Sequence, residues 1–147
     1  MKIALGADHA GFKHKQIVAE ELKGLGHEVV SFGAEDESRV DYPDPAREVC
    51  QHVVDGTCDR GILICGTGLG MGIAANKVRG IRAAVAHDEY TTIMSRAHND
   101  ANVLCLGARV IDEETALSLV SLWLRTNYEG GRHQQRLDKI SQMESEC

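Results

Sequence analysis

The stretch Ile64-Cys65-Gly66-Thr67-Gly68-Leu69-Gly70 puts a thiol at the end of an apolar run and follows it with alternating glycines. Such glycines let backbone N–H groups approach a ligand closely, and a helix starting there offers its positive end to an anion. The spacing is not that of the nucleotide loop G-x-x-x-x-G-K-[ST]. It also fails G-x-G-x-x-G, because Met71 and Ile73 stand where the last glycine would be. Glycines at 66, 68, 70 and 72 exceed what a tight turn requires, so the stretch reads as a loop that cradles a ligand. Cys65 has two readings. Beside a helix start and bare peptide donors, a thiol can work as a thiolate; a buried thiol is equally at home as a small packing group. Position alone leaves both open.

Three further groups could do chemistry. Asp8-His9 closes the first apolar run. A carboxylate beside an imidazole can bind sugar hydroxyls and move a proton, while the plainer reading is a capping Asp with an exposed His. His98-Asn99-Asp100 precedes the fifth apolar run; it suits a turn and could equally present a general acid or base. Arg132 and Arg136 are four apart, so on a helix they share one face near its positive end. Two guanidinium forks there match the oxygens of a phosphate, against the alternative of a solvated face. The histidines at 14, 27, 52, 87 and 133 fall into no ligand spacing, and His-x-x-x-His is absent, so no metal site is expected.

These groups need elements to position them. Short runs rich in Ile, Val, Leu and Ala lie at 2–6, 28–32, 61–65, 82–86 and 102–106. They do not alternate strictly, as expected of strands covered on both faces. Helical patterns fill the intervals at 12–25, 45–54, 71–78, 89–97 and 113–124, and a sixth spans about 132–143 after Gly130-Gly131. Strand alternating with helix predicts an α/β fold, a Rossmann-like three-layer α/β/α arrangement around a five-stranded parallel sheet. Ligands of such sheets bind beyond the carboxyl ends of the strands. There lie Asp8 and His9, the 66–70 loop, His87-Asp88, and Gly107-Ala108-Arg109. The last helix has no strand after it; it is free to reach another subunit or to close over the sheet's edge.

The 147 residues suit one domain, 1–147. A net charge of -6 argues against nucleic acid and requires a local basic site for any anionic substrate. Five cysteines, an odd number with no C-x-x-C pair, suggest neither a disulfide framework nor a zinc ribbon. No signal peptide and no apolar run of about 18 residues is apparent, so a soluble, cytoplasmic protein without membrane association is expected.

Together GADHAGF at the start, DYPD at 41–44, GILICGTGLGMGIAANKVRGIRAA at 61–84, HND at 98–100, NVLCLGARV at 102–110 and YEGGRHQQR at 128–136 closely resemble one family. It is type B ribose-5-phosphate isomerase, grouped with the galactose-6-phosphate isomerase subunits. The resemblance runs over nearly the whole chain. It implies a metal-free, cofactor-free aldose–ketose isomerase acting on a sugar phosphate, as a homodimer or dimer of dimers with active sites built from two subunits. By motif, Cys65 would be the base that moves a proton between C1 and C2, Thr67 would assist at the carbonyl oxygen, and His98 would open the furanose ring. Asp8, His9, Asn99 and the loop Gly66, Gly68, Leu69 and Gly70 would bind the sugar; Arg109, Arg132 and Arg136 would hold the phosphate, with His9 nearby.

The chemistry agrees with these assignments. The proton at C2 is weakly acidic, so the reaction needs a base and fixed donors for the enediolate oxyanion. Phosphate binding energy then positions the reacting carbons. Ribose 5-phosphate is the expected substrate. The alternatives are a six-carbon sugar phosphate, such as allose 6-phosphate or galactose 6-phosphate, and a non-catalytic sugar-phosphate-binding module, which would lack the base or the ring-opening group.

Overall fold

The five apolar runs pair into one parallel sheet in the computed structural model, which describes residues 1–147. The strands are β1 (Lys2–Ala7), β2 (Glu28–Gly33), β3 (Arg60–Cys65), β4 (Ala83–Val85) and β5 (Val103–Gly107). The helices are α1 (Phe12–Gly24), α2 (Pro43–Val54), α3 (Leu69–Ala75), α4 (Glu89–Ala97), α5 (Glu113–Arg125) and α6 (Arg132–Ser145). The sheet order is β2-β1-β3-β5-β4. The chain leaves β1 toward β2 and returns on β1's other side as β3. That reversal opens a crevice beyond the carboxyl ends of β1 and β3.

Each strand sends alternate side chains into two cores, as the pleat dictates. Ile3, Leu5, Ile62, Ile64, Leu104 and Leu106 meet α1 and α5 in one layer. Ala4, Leu63, Cys65, Val103 and Cys105 meet α2 and α3 in the other. Cys65 therefore ends its strand facing the α2–α3 layer.

Helix α2 begins two residues earlier than expected, at Pro43, and α6 runs on to Ser145; one helix is displaced and one strand is shorter. The third helix, expected over 71–78, occupies Leu69–Ala75. Asn76 then uses its side chain as a strand partner, donating to Ala83 O and accepting from Ala83 N–H, both at 2.9 Å, and this ends the helix. The fourth strand, expected over 82–86, keeps only Ala83–Val85, the three residues in register with Val103, Leu104 and Cys105 of β5. No helix is long and apolar enough to cross a membrane.

Candidate active site

At the carboxyl edge of the sheet, β3 and β5 end side by side, with Cys65 opposite Gly107. Their loops are bonded peptide to peptide: Ala108 N–H donates to Cys65 O at 2.8 Å and Arg109 N–H to Gly66 O at 3.0 Å. His87 Nε2 accepts the Gly107 N–H at 2.8 Å, a role open only to the neutral ring; burial lowers its pKa accordingly. The loop around Cys65 is thus fixed from two sides.

Cys65 is 4% exposed, and its Sγ receives the Gly68 N–H at 3.2 Å. Gly68 adopts φ 78°, the left-handed conformation that turns this N–H back onto the sulfur and that a side chain would strain. The donor marks Cys65 off from its neighbours. Cys50, Cys58 and Cys105 share the same core layer. Burial pushes the Cys50 thiol up to about 12 and raises Cys58 as well; in Cys105 burial, aided by the sulfurs of Cys50 and Cys65, raises it further. Those three are held as neutral packing groups. Thr67 Oγ1 accepts the Leu69 N–H at 3.2 Å, which leaves its hydroxyl hydrogen free to donate outward.

The other predicted residues of this edge gather around that loop. Arg109 lies over Gly66, where a Cβ would stand 3.2 Å from its Nη1. Asp8, 7% exposed, accepts from Ala10 and Gly11 N–H at 2.9 and 3.1 Å, and its own N–H donates to Ile64 O at 3.3 Å. Asp8 therefore holds the turn into α1 and joins β1's end to β3's. His9 Nδ1 lies 3.2 Å from Val40 N and 3.3 Å from Val40 O, which ties the ring to the segment before α2 and leaves Nε2 free of those contacts.

The remaining predicted residues lie at the opposite edge. His98 ends α4, which runs back from the end of β4 to the start of β5. The turn that follows is pinned by two arginines. Arg96 Nη1 donates to Asp100 Oδ1 at 2.8 Å and Ala101 O at 2.6 Å, while Arg82 Nη2 donates to Asp100 O at 2.9 Å. This holds Asp100 at φ 44° and leaves Asn99 exposed. Glu129 N–H donates to Ala97 O at 3.0 Å, which brings the start of α6 against the end of α4. The His98 and His133 rings stack there with centroids 4.0 Å apart. Glu129 Oε2 lies 3.4 Å from His133 Nε2 and 3.8 Å from His98 Nε2. Burial, then the neighbouring His98 and Arg132, lower the His133 pKa, and Glu129 opposes them. Arg132 and Arg136 are exposed on the first turns of α6, and neither pairs with a carboxylate.

Within one chain the structure thus joins Asp8, His9, Cys65, the 66–70 loop and Arg109, and separately joins His98, Asn99, Arg132 and Arg136. It does not join the two sets. β5, which runs from one edge to the other, spans about 16 Å.

Comparison with known proteins decides the family. The chain matches the ribose/galactose isomerase family over residues 3–140. It belongs to that family. It is 49% identical to ribose-5-phosphate isomerase B of Escherichia coli over 143 residues, 97% of this chain and 96% of that protein. The ribose-5-phosphate isomerase B structure from Clostridium thermocellum matches with a TM-score of 0.98 and 51% identity, covering 99% of each chain. A Mycoplasma genitalium family member, solved with bound ribulose-5-phosphate, matches with a TM-score of 0.95 at 42% identity, over 99% of this chain and 97% of its own.

Two residues of this isomerase's site region escaped the sequence reading. The Tyr42 ring lies over Gly70, where a Cβ would come within 2.6 Å of it. Its signal was the DYPD segment, which was noted as a motif without a role for the tyrosine. Glu129 lies between two histidines, and its sequence signal is the YEGGRHQQR segment at 128–136.

Proposed function

We propose that the protein is an aldose–ketose isomerase interconverting ribose 5-phosphate and ribulose 5-phosphate through an enediolate, with 1–147 as one sugar-phosphate isomerase domain. The observation that carries the reading is Cys65, the one buried cysteine whose sulfur receives a backbone N–H, in a loop built of further donors.

In the open-chain aldose the Cys65 thiolate takes the proton from C2. Electrons move from the C–H bond through C1–C2 onto the C1 oxygen, where Thr67 and the loop N–H groups stabilise the negative charge. The O2 proton passes to O1, and the thiol returns the carbon-bound proton to C1; O1 ends as the hydroxyl and O2 as the carbonyl oxygen of the ketose. Ring opening must come first: His98 takes the anomeric hydroxyl proton and returns one to the ring oxygen. Arg109, Arg132 and Arg136 hold the phosphate.

Cys65 and His98 cannot serve one sugar from a single chain, since they lie at opposite sheet edges. We therefore place His98, Asn99, Arg132 and Arg136 of one copy against Cys65, Asp8, His9 and Arg109 of a second, in a homodimer that can pair again. Exposed apolar side chains support such pairing: Leu69 and Ile73 on α3, Ile140 and Met143 on α6. A cytoplasmic setting fits five free cysteines and a phosphorylated substrate.

The deciding experiment is turnover of the purified protein with EDTA present, on ribose 5-phosphate, allose 6-phosphate and galactose 6-phosphate. Preference for the five-carbon sugar is expected. Preference for a six-carbon sugar would move the assignment within the family, and turnover of none would leave a sugar-phosphate-binding module.

A further inference from the structure

Where α4 meets α6, three side chains converge with no bonded partner among them. One ring nitrogen each of His98 and His133 and a carboxylate oxygen of Glu129 all lie within 4.8 Å of one another. His133 is 6% exposed, and its Nε2 makes no hydrogen bond. A buried ring nitrogen left in that state is costly, and Glu129 Oε2, 3.4 Å away, is the polar atom facing it. Glu129 is half-exposed and pairs with neither lysine nor arginine, so the space opens to solvent through its carboxylate.

We infer that His98, Glu129 and His133 form a binding site for a divalent cation of the zinc class. Two imidazoles and one carboxylate are a borderline-soft donor set, which suits zinc and disfavours magnesium. Zinc bonds of about 2.0–2.1 Å in a tetrahedron hold neighbouring donors roughly 3.4 Å apart. His133 and Glu129 already stand at 3.4 Å, and His98 and Glu129 at 3.8 Å. The two rings stack at an interplanar angle of 19°, so chelation requires them to turn until both in-plane lone pairs meet at one point. The backbone is already arranged: the Glu129 N–H fixes the carboxylate against the end of α4, and the turn at Gly130 and Gly131 sets His133 on the first helical turn. Arg132 is the positive charge that opposes the cation, and the Glu129 carboxylate offsets it.

The consequence is inhibition. The metal would occupy the ring nitrogen of His98 that ring opening needs, so cation and sugar compete. Binding itself is measured without any sugar and stands apart from the isomerase assignment.

The test begins with chelator-stripped, full-length protein titrated with zinc against a chromophoric chelator. One zinc per chain is expected, with Glu129→Gln and His133→Asn each weakening it at least about tenfold. Cobalt added to the wild type is the second measurement, independent of any variant's folding. It should give a tetrahedral visible spectrum without sulfur-to-cobalt charge transfer. Absence of stoichiometric zinc binding, unchanged affinity in folded variants, or a thiolate charge-transfer band would each overturn the site, the last by placing the metal on cysteine.

Discussion

The two edges of the sheet hold their reactive groups in opposite ways. At the carboxyl edge the peptide does the holding. Cys65, Gly66 and Gly107 are tied by main-chain bonds between neighbouring loops, and the sulfur takes its one donor from the Gly68 N–H. At the amino edge side chains do it: Arg82 and Arg96 pin the Asp100 turn, and His98 is set by stacking on His133. The first edge is shaped to meet charge that appears during a reaction, because fixed N–H groups need not reorganise. The second gathers groups of another kind, imidazoles in contact and two guanidinium groups with no carboxylate partner, as the proposed proton transfer and phosphate grip require.

The sharpest way to break this comparison is to disable one edge at a time. Cys65→Ala should lower kcat about 10²–10⁴-fold, and His98→Asn should also be severely impaired on the ring-closed sugar. If the edges serve each other across copies, mixing the two inactive variants under conditions of subunit exchange restores roughly a quarter of wild-type activity. Steady-state assays before and after exchange check this; no recovery would mean that each chain works alone. Next in size is the phosphate grip. The double variant Arg132→Ala, Arg136→Ala should raise KM about a hundredfold with a smaller change in kcat, as expected from losing two charge-assisted contacts. An unchanged KM removes these arginines from the site.

The smallest effect sharpens the description of the carboxyl edge. His87 accepts the Gly107 N–H only when neutral, and burial lowers its pKa. A histidine whose pKa falls on folding contributes stability above its unfolded value near 6.5, and that contribution is lost as pH drops through the folded value. Wild type should therefore lose about 3 °C more of Tm between pH 7 and pH 5 than His87→Gln, followed by thermal melting at both pH values. Parallel profiles would show that this bond does not matter to stability.

Much of this was legible in the residues. Strands buried on both faces betray themselves by unbroken apolar runs, and β1, β2, β3 and β5 lie within a residue of their expected positions. β4 is one residue shorter at each end than its apolar run, because its pairing with β5 covers only Ala83–Val85, a limit that composition does not record. α3 was overdrawn because nothing local announced that Asn76 would leave the helix to pair with Ala83. Strand order was beyond reach for the same reason: the runs that became β3 and β5 are chemically alike. Cys65 could be placed at a strand end but not told from a packing thiol, since the deciding donor comes from Gly68 in a left-handed turn. The gathering of His98, Glu129 and His133 was hidden by distance along the chain. Two helices and a double-glycine turn create it, and no ligand spacing records it.

The antipodal placement of Cys65 and His98 has a thermodynamic corollary. If the proposed pairing of the two edges across copies holds, turnover obeys mass action between chains. Diluted below the dissociation constant of its pairing, the enzyme would fall silent while every individual fold stayed intact.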